Sequence, residues 1–505
     1  MLIWMAAAEN DTLPGGKVGG VGDVMRDLPA ALAREGHEVC VFTPAYGRFH
    51  QLPGSCKVAS IPLEFGGRRR MAAMYRVTTD QTGVTTYVIE HGLITAGQPG
   101  RIYFDDGPEE PFASDSTRFA FFSAAIAAWL EQTEQAPDVL HAHDWHLGPL
   151  FLLRRFGKGL AKLRKTRCVF SIHNLAYQGI RPLKGHHSSL HAWFPDLKYT
   201  KKKVVDPRYR DCINLMAIPI RLADGINTVS PGYAREILRP SDPARGFIGG
   251  EGLEDDLSQA KGEGRLSGIL NGCVYPGPGG RRPGWKSLLQ AVAEVPGLLP
   301  GGTHQRMQKL SRRRPRSVLV SIGRITGQKT TLFLQPVDKQ QTALEAILQH
   351  LGNDGLFIML GSGDRDMERQ LGEVAEHFEN FLFLRGYAES LSHLLYRAGD
   401  LFLMPSSFEP CGISQMLAMR DGQPCVVHAV GGLRDTIRDG VTGFQFRGRS
   451  QRAQARQFVD SVASALAVKQ DDPPRWRKIC ERAAEQRFTW EEAARQYGQK
   501  LYANS

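Results

Sequence analysis

The sequence predicts an α/β protein built as two doubly wound domains facing a deep cleft. Short apolar runs bounded by glycine turns alternate with helical periodicities along most of the chain. At 505 residues the chain exceeds what one hydrophobic core serves. The clearest composition break, Pro276-Gly-Pro-Gly-Gly-Arg-Arg-Pro-Gly284, lies between the two runs of alternation. The expected division is an N-terminal domain over 1–275, a hinge over 276–316, a C-terminal domain over 317–485 and a final helical segment over 486–505 packing back on the first domain.

Leu2 to Ala8 reads as a buried strand, followed by the glycine loop Lys17-Val-Gly-Gly-Val-Gly-Asp23 and a helix to about Arg34 with Leu28, Ala31 and Leu32 on one face. Glu38 to Thr43 completes a β-loop-α-β unit. The loop lacks the GxGxxG spacing of dinucleotide binders, so no such cofactor is expected. Gly19, Gly20 and Gly22 let backbone approach a ligand at the helix start; a tight turn with a solvated Lys17 fits the same residues. Runs 58–63, 73–77 and 85–90 suggest a meander, and 114–132 a helix. Asp138 to Asp144 and Cys168 to Asn174 are apolar strands with polar carboxyl ends. Residues 182–211 lack a period and suggest a long loop or small helices. Gly225 to Val229 is a strand, with Ser230-Pro231 opening a helix. Leu266 to Leu270 is another strand, ending at Asn271.

The second half restarts with strand Ser317 to Gly323, the loop Arg324-Ile-Thr-Gly-Gln-Lys329, a helical segment interrupted near Pro336, and helix Thr342 to Leu351. Strand Leu356 to Leu360 leads to the turn Gly361-Ser-Gly-Asp364. Strand Phe381 to Leu384 ends at Arg385-Gly-Tyr387. After helix Glu389 to Ala398 come strand Leu401 to Met404, a turn carrying Glu409, and a helix whose first residues are Gly412, Ile413 and Ser414. Strand Cys425 to Ala429 and the Gly431-Gly-Leu433 turn follow, and Phe488 to Tyr497 is an amphipathic helix with Thr489 as its cap.

Net charge is +11, but much of the excess sits in Arg68-Arg69-Arg70, Lys198 to Lys203 and Arg312 to Arg316, without the aromatic interleaving that stacks bases. No nucleic-acid partner is expected. Eight cysteines without a CxxC pair, several in apolar strands, suit a reducing compartment. The amino terminus lacks a basic leader, and the run Phe119 to Leu130 is too short to span a bilayer. A cytoplasmic protein without a membrane partner is the expectation. His141, His143 and His146 invite a metal, yet no thiolate or glutamate at ligand spacing joins them, so none is expected.

Polar residues gather at strand carboxyl ends, where ligands bind in open parallel sheets. The first half supplies Lys17, Asp144, His173 and Asn271; the second supplies Arg324, Lys329, Tyr387 and Glu409. Glu409 alone could be a helix-start acid. Arg324 and Lys329 in one strand-end loop suit a diphosphate, with bidentate guanidinium and point-charge ammonium. Fixed cations and helix amino termini together stabilise a departing diphosphate without a metal. That is the chemistry of glycosyl transfer from a nucleotide sugar.

These stretches, together with His141-Ala-His-Asp-Trp-His146, Ser171-Ile-His-Asn-Leu-Ala-Tyr-Gln-Gly179, Thr228 to Glu236, Gly268-Ile-Leu-Asn-Gly272, Pro405 through Gln415 and Phe488-Thr-Trp490, resemble the bacterial glycogen synthases of starch synthase type. The resemblance runs from one end of the chain to the other. It implies the GT-B arrangement of two Rossmann-like domains, ADP-glucose as donor, glycogen or another α-1,4-glucan as acceptor, retention of configuration and no cofactor. It further implies Lys17, Arg324 and Lys329 on the donor phosphates, and Gly19, Gly20, Asp23, Asn271 and Tyr387 around nucleotide or sugar. His173 would meet the transferred glucose and Asp144 the acceptor. Glu409, with Cys411, Gly412, Ile413 and Ser414, would grip the donor glucose. Departures are Cys273 where the family usually carries an acid, Thr330 in place of a glycine, and an inserted look to 335–341. Related transferases of this fold often carry a second glutamate where this chain has Leu417. A UDP-glucose enzyme of the same fold and a non-catalytic glucan-binding relative are the alternatives.

Overall fold

The computed structural model describes residues 1–275, 284–295, 297, 304–386 and 388–503. The chain divides into two compact units. One comprises Met1–Pro240, Gly249–Gly272 and Trp490–Ser505; the other comprises Ser241–Ile248 and Cys273–Thr489. Both are Rossmann-like α/β units.

The first unit's strands are β1 (Leu2–Ala6), β2 (Glu38–Pro44), β3 (Cys56–Phe65), β4 (Arg68–Val77), β5 (Val84–Glu90), β6 (Val139–His143), β7 (Arg167–Ile172), β8 (Ile180–Pro182), β9 (Cys212–Asn214), β10 (Gly225–Thr228) and β11 (Leu266–Gly268). Among the described residues they form a main sheet ordered β11-β10-β7-β6-β1-β2-β5-β4-β3, with β8 and β9 as a separate antiparallel pair. Pairing is parallel from β11 to β5. β3 and β4 continue the sheet in antiparallel fashion. The central strands bury both faces, so β1 is apolar throughout and β6 is apolar apart from the buried His141 and His143, whereas β3 and β4 alternate exposed and buried positions over much of their length.

Helix Gly20–Arg34 lays Val24, Met25, Leu28 and Leu32 on Ile3, Met5 and Val41. The same core takes in the end of the chain: helix Trp490–Tyr497 and the π-helical turn Gly498–Tyr502 bury Trp490, Tyr497, Leu501 and Tyr502 there. An Arg34–Glu491 ion pair of 2.7 Å lies outside that contact.

The second unit's sheet contains β12 (Ser317–Ile322), β13 (Gly355–Gly361), β14 (Phe381–Arg385), β15 (Leu401–Met404), β16 (Cys425–His428) and β17 (Gly443–Phe446). Their order is β14-β13-β12-β15-β16-β17, parallel throughout. One apolar layer packs on each face. Helix Ala343–Leu351 begins with a capping box between Thr342 and Glu345.

Several elements differ from the sequence reading. Within the segment read as hinge, helix Trp285–Glu294 buries Leu288, Leu289 and Val292, and helix His304–Arg312 follows; residues 276–283 lie outside the described residues. Lys329 is not in a loop, because helix Gly327–Leu334 has already begun and the Lys329 amide donates to the Thr326 carbonyl. Thr330 is buried in that helix's first turn. Gly412 stands outside the helix it was expected to open: its φ of +75° is left-handed, so the helix runs Ser414–Arg420 with Ile413 flanking. The long helices Gln451–Asp471 and Pro473–Glu485 were not anticipated. No helix among the described residues is long and apolar enough to cross a membrane.

Candidate functional site

Each sheet has a point at which strand order reverses, and there the loops leaving two neighbouring strands part and open a crevice. In the first unit that point lies between β1 and β6; in the second, between β12 and β15.

The β1 loop begins with Glu9, which is buried, and returns through Lys17 to the helix at Gly20. Glu9 Oε2 accepts the N–H groups of Val18 (2.8 Å) and Gly19 (2.6 Å), and its Oε1 accepts the Tyr103 hydroxyl (2.8 Å). The Gly19 amide is thus engaged by the protein's own carboxylate. Lys17 Nζ sits 2.5 Å from Asp23 Oδ1 and 3.7 Å from Asp11, with Arg26 bridging the same two acids. Lys17 and Asp23, both singled out in the sequence, therefore share one half-exposed cluster.

At the end of β6, Asp144 has a φ of +58°, uncommon for a side-chain-bearing residue. Its Oδ1 accepts the His173 backbone N–H at 2.8 Å, joining the tips of β6 and β7. Burial pushes the Asp144 carboxyl up to about 7. His173 Nε2 lies 2.9 Å from His143 Nδ1, and burial brings His173 down to about 4, so its imidazole is neutral near pH 7. Behind them both ring nitrogens of His141 are occupied, by the Tyr502 hydroxyl (2.8 Å) and Ser171 Oγ (2.7 Å), which leaves no lone pair for a metal. Among the described residues, Glu110, His186 and His187 bring three ligand-type atoms within 4.8 Å of one another. The Arg181 guanidinium lies 3.1 Å from His186 Nδ1 and opposes a cation there. Asn271, past β11, is buried with its Oδ1 unanswered among the described residues, an acceptor still open to a donor.

In the second unit Lys329 Nζ lies 3.2 Å from Glu409 Oε2, across the crevice between β12 and β15. Ser406 Oγ donates to the same oxygen at 3.0 Å. Gln328 ties the two loops together: its Nε2 donates to the Phe408 carbonyl (2.8 Å), and its own carbonyl accepts the Ser407 N–H (2.8 Å). A pocket beside this pair is lined by Gly323, Arg324, Lys329, Thr330, Met404 and Ser406. Arg324 is exposed at that pocket.

The turn after β16 braces the Glu409 loop from behind. A Cβ on Gly431 (φ +41°) would fall 2.0 Å from the Glu409 carbonyl oxygen, and one on Gly432 2.1 Å from that of Cys411. The Gly432 N–H donates to the Glu409 carbonyl at 3.1 Å. Gln415 holds the following turn by donating to the carbonyls of Cys411 (3.2 Å) and Gly412 (3.0 Å). Cys411 is buried, while Ile413 and Ser414 are half-buried at the helix start. Tyr387 lies outside the described residues.

Lys17 and Asp23, Asp144 and His173, and Lys329 and Glu409 are thus brought together, each pair within its own unit. Sequence reasoning missed Glu9, Gln328 and Ser406, and weighed His143 only as a metal ligand. Only their places inside the motifs around 324–329 and 405–415 pointed to Gln328 and Ser406, and nothing pointed to Glu9.

The family described as starch synthase catalytic domain matches residues 2–259, and that described as glycosyl transferases group 1 matches residues 317–466. A glycogen synthase of Aeromonas salmonicida is 31% identical over 96% of this chain and 94% of its own. One of Lactiplantibacillus plantarum is 33% identical over 98% of each. The catalytic domain of starch synthase IV from Arabidopsis thaliana, solved bound to ADP and acarbose, superposes with a TM-score of 0.78 at 26% identity, covering 99% of this chain and 98% of that one.

Proposed function

Because the chain belongs to the glycogen synthase family of glucosyltransferases, we propose that it transfers glucose from ADP-glucose to the non-reducing end of an α-1,4-glucan with retention of configuration. The observation that carries this reading is the Lys329–Glu409 pair at 3.2 Å in the β12/β15 crevice. A cation for a pyrophosphate and a carboxylate for the neighbouring hexose are what one sugar nucleotide needs side by side. ADP as the nucleotide is supported by the Arabidopsis domain, which was solved with it.

In this reading Lys17, Arg324 and Lys329 hold the donor phosphates, drawing electron density toward the leaving group. Asp23, Asn271 and Tyr387 hold nucleotide or sugar, and the open Asn271 Oδ1 suits a hydroxyl donor. Glu409 and the backbone from Cys411 to Ser414 grip the glucose and balance the positive charge that grows at its anomeric carbon. The acceptor hydroxyl, oriented near Asp144, attacks the face the diphosphate leaves, and a phosphate oxygen takes its proton. No side chain acts as general base, which agrees with a His173 that burial holds at about 4, too weak a base to draw off a hydroxyl proton. A cytoplasmic location is supported by eight free cysteines.

Purified protein given glycogen and radiolabelled ADP-glucose or UDP-glucose tests the proposal. Incorporation from ADP-glucose alone supports it. Incorporation from UDP-glucose reassigns the donor, and none from either makes the chain a glucan-binding relative.

A further inference from the structure

We propose that His143 is a positioning residue that fixes the tautomer of His173, so that His173 presents an Nδ1–H donor toward the reacting sugar. The inference rests on the reading above for the sugar, but not for the tautomer itself.

His143 ends β6 and His173 follows β7, and the parallel register sets His143 against Ser171. His143 is fully buried, and its Nδ1 meets His173 Nε2 at 2.9 Å. One shared hydrogen bond between two neutral imidazoles needs one protonated nitrogen and one lone pair, so two arrangements exist. They are not equivalent, because His143 Nε2 is buried and has no hydrogen-bond partner among the described residues.

If His143 accepted at Nδ1, its proton would sit on Nε2 as a buried N–H with nothing to receive it. Orphaned N–H groups are rarer in folded proteins than under-satisfied acceptors. If His143 donates from Nδ1, only a lone pair goes unanswered at Nε2. The second arrangement wins. His173 Nε2 is then the acceptor, and the His173 proton resides on Nδ1.

The neighbour that could have altered this choice is already committed. The His141 ring lies 4.2 Å from the His143 ring, centroid to centroid, but both its nitrogens are engaged by Tyr502 and Ser171. It packs against His143 without bonding to it and closes that side. Tyr502 in turn sits in the buried turn at the end of the chain. The front of His173 differs: no protein group among the described residues bonds its Nδ1. A protonated Nδ1 can donate to a sugar hydroxyl oxygen and cannot take a proton from one. His173 thereby orients the sugar and leaves the proton to the leaving group.

The test is a long-range proton–nitrogen correlation spectrum of the full chain carrying nitrogen-15 histidine, with His173→Gln identifying the His173 signals. The expected spectrum shows His173 protonated at Nδ1 and bare at Nε2. An Nε2–H tautomer in the unmodified protein overturns the proposal. Two variants add a functional readout. His143→Asn keeps an amide donor at the place of Nδ1, whereas His143→Phe removes it. His143→Phe should mix the His173 tautomers and lower kcat by about 10- to 100-fold with little change in KM for glucan. His143→Asn should keep the tautomer and restore most of that turnover; equal loss in both variants overturns the positioning role. If the Nδ1–H tautomer is found while His173→Gln turns over normally, the role of His173 in transfer fails and its tautomer assignment stands.

Discussion

Replacing Lys329 by methionine, alone and with Glu409→Gln, probes the pair on which the donor reading turns. At the observed 3.2 Å, opposite unit charges attract by about 5 kcal/mol at an effective dielectric of 20 and about 1 kcal/mol in bulk water. The Lys329 side chain is 22% exposed and that of Glu409 10%, so the operative value lies between these, reduced by the desolvation of both groups. A net coupling of ~1–2 kcal/mol remains. Lys329→Met keeps the aliphatic stem but leaves a buried carboxylate held by Ser406 alone. It should therefore cost about 2–3 kcal/mol in denaturant unfolding. Glu409→Gln, which removes the charge without a void, should cost less. The double variant should be more stable than the sum of the singles by the coupling energy. Turnover with ADP-glucose and glycogen should fall by about 10²-fold or more in either single variant. Strictly additive stabilities would show that the pair does not persist in solution. Near-normal turnover in either variant would remove that residue from the site.

The remaining expectations concern the scaffold. Burial holds the Asp144 carboxyl at about 7 against an ordinary 3.8, so the stability it contributes is full below pH ~4 and lost as pH rises through ~7. Asp144→Asn should gain on the unmodified protein across that window, read from urea midpoints at about pH 5 and pH 8. His141 and His173, held down to about 3 and about 4 by burial, act in the opposite sense: their contribution is present above pH ~6.5 and lost as pH falls toward ~4. Gly432→Ala forces a Cβ to within 2.1 Å of the Cys411 carbonyl. It should cost on the order of 1–3 kcal/mol and displace the Glu409 loop, so turnover should fall further than thermal stability does. Trp490→Ala empties a site only 3% exposed in the first unit's core and should cost ~3–5 kcal/mol in thermal unfolding.

The parallel strands were legible because a strand buried on both faces has to be apolar throughout, as Leu401 to Met404 and Val139 to Leu140 are. Helix boundaries were less so. Gly412 permits either sign of φ, and only the Gln415 side chain packed against its turn decides it. Helix Gln451–Asp471 was missed although Ala455, Phe458, Val459, Val462 and Ala465 carry the period, with Arg452, Arg456 and Lys469 standing on the rest of the helix. At the site, Lys329 and Glu409 could be found because each follows an apolar strand. Glu9 and Ser406 could not, since their roles arise only from how their loops fold: Ser406 turns back on Glu409 three residues on, and Glu9 meets Val18, Gly19 and the distant Tyr103. A glutamate that anchors two amides looks, as a letter, like any surface acid.

The closing segment of the first unit comes from the far end of the polypeptide. During translation everything from Cys273 to Thr489 must be synthesised before Trp490 exists to fill its place beside Ile3 and Met5. A nascent chain therefore carries an incomplete amino-terminal core for more than two hundred residues of elongation. Until Tyr502 follows, its hydroxyl is missing from His141 Nδ1, and the histidine array stays open on that side.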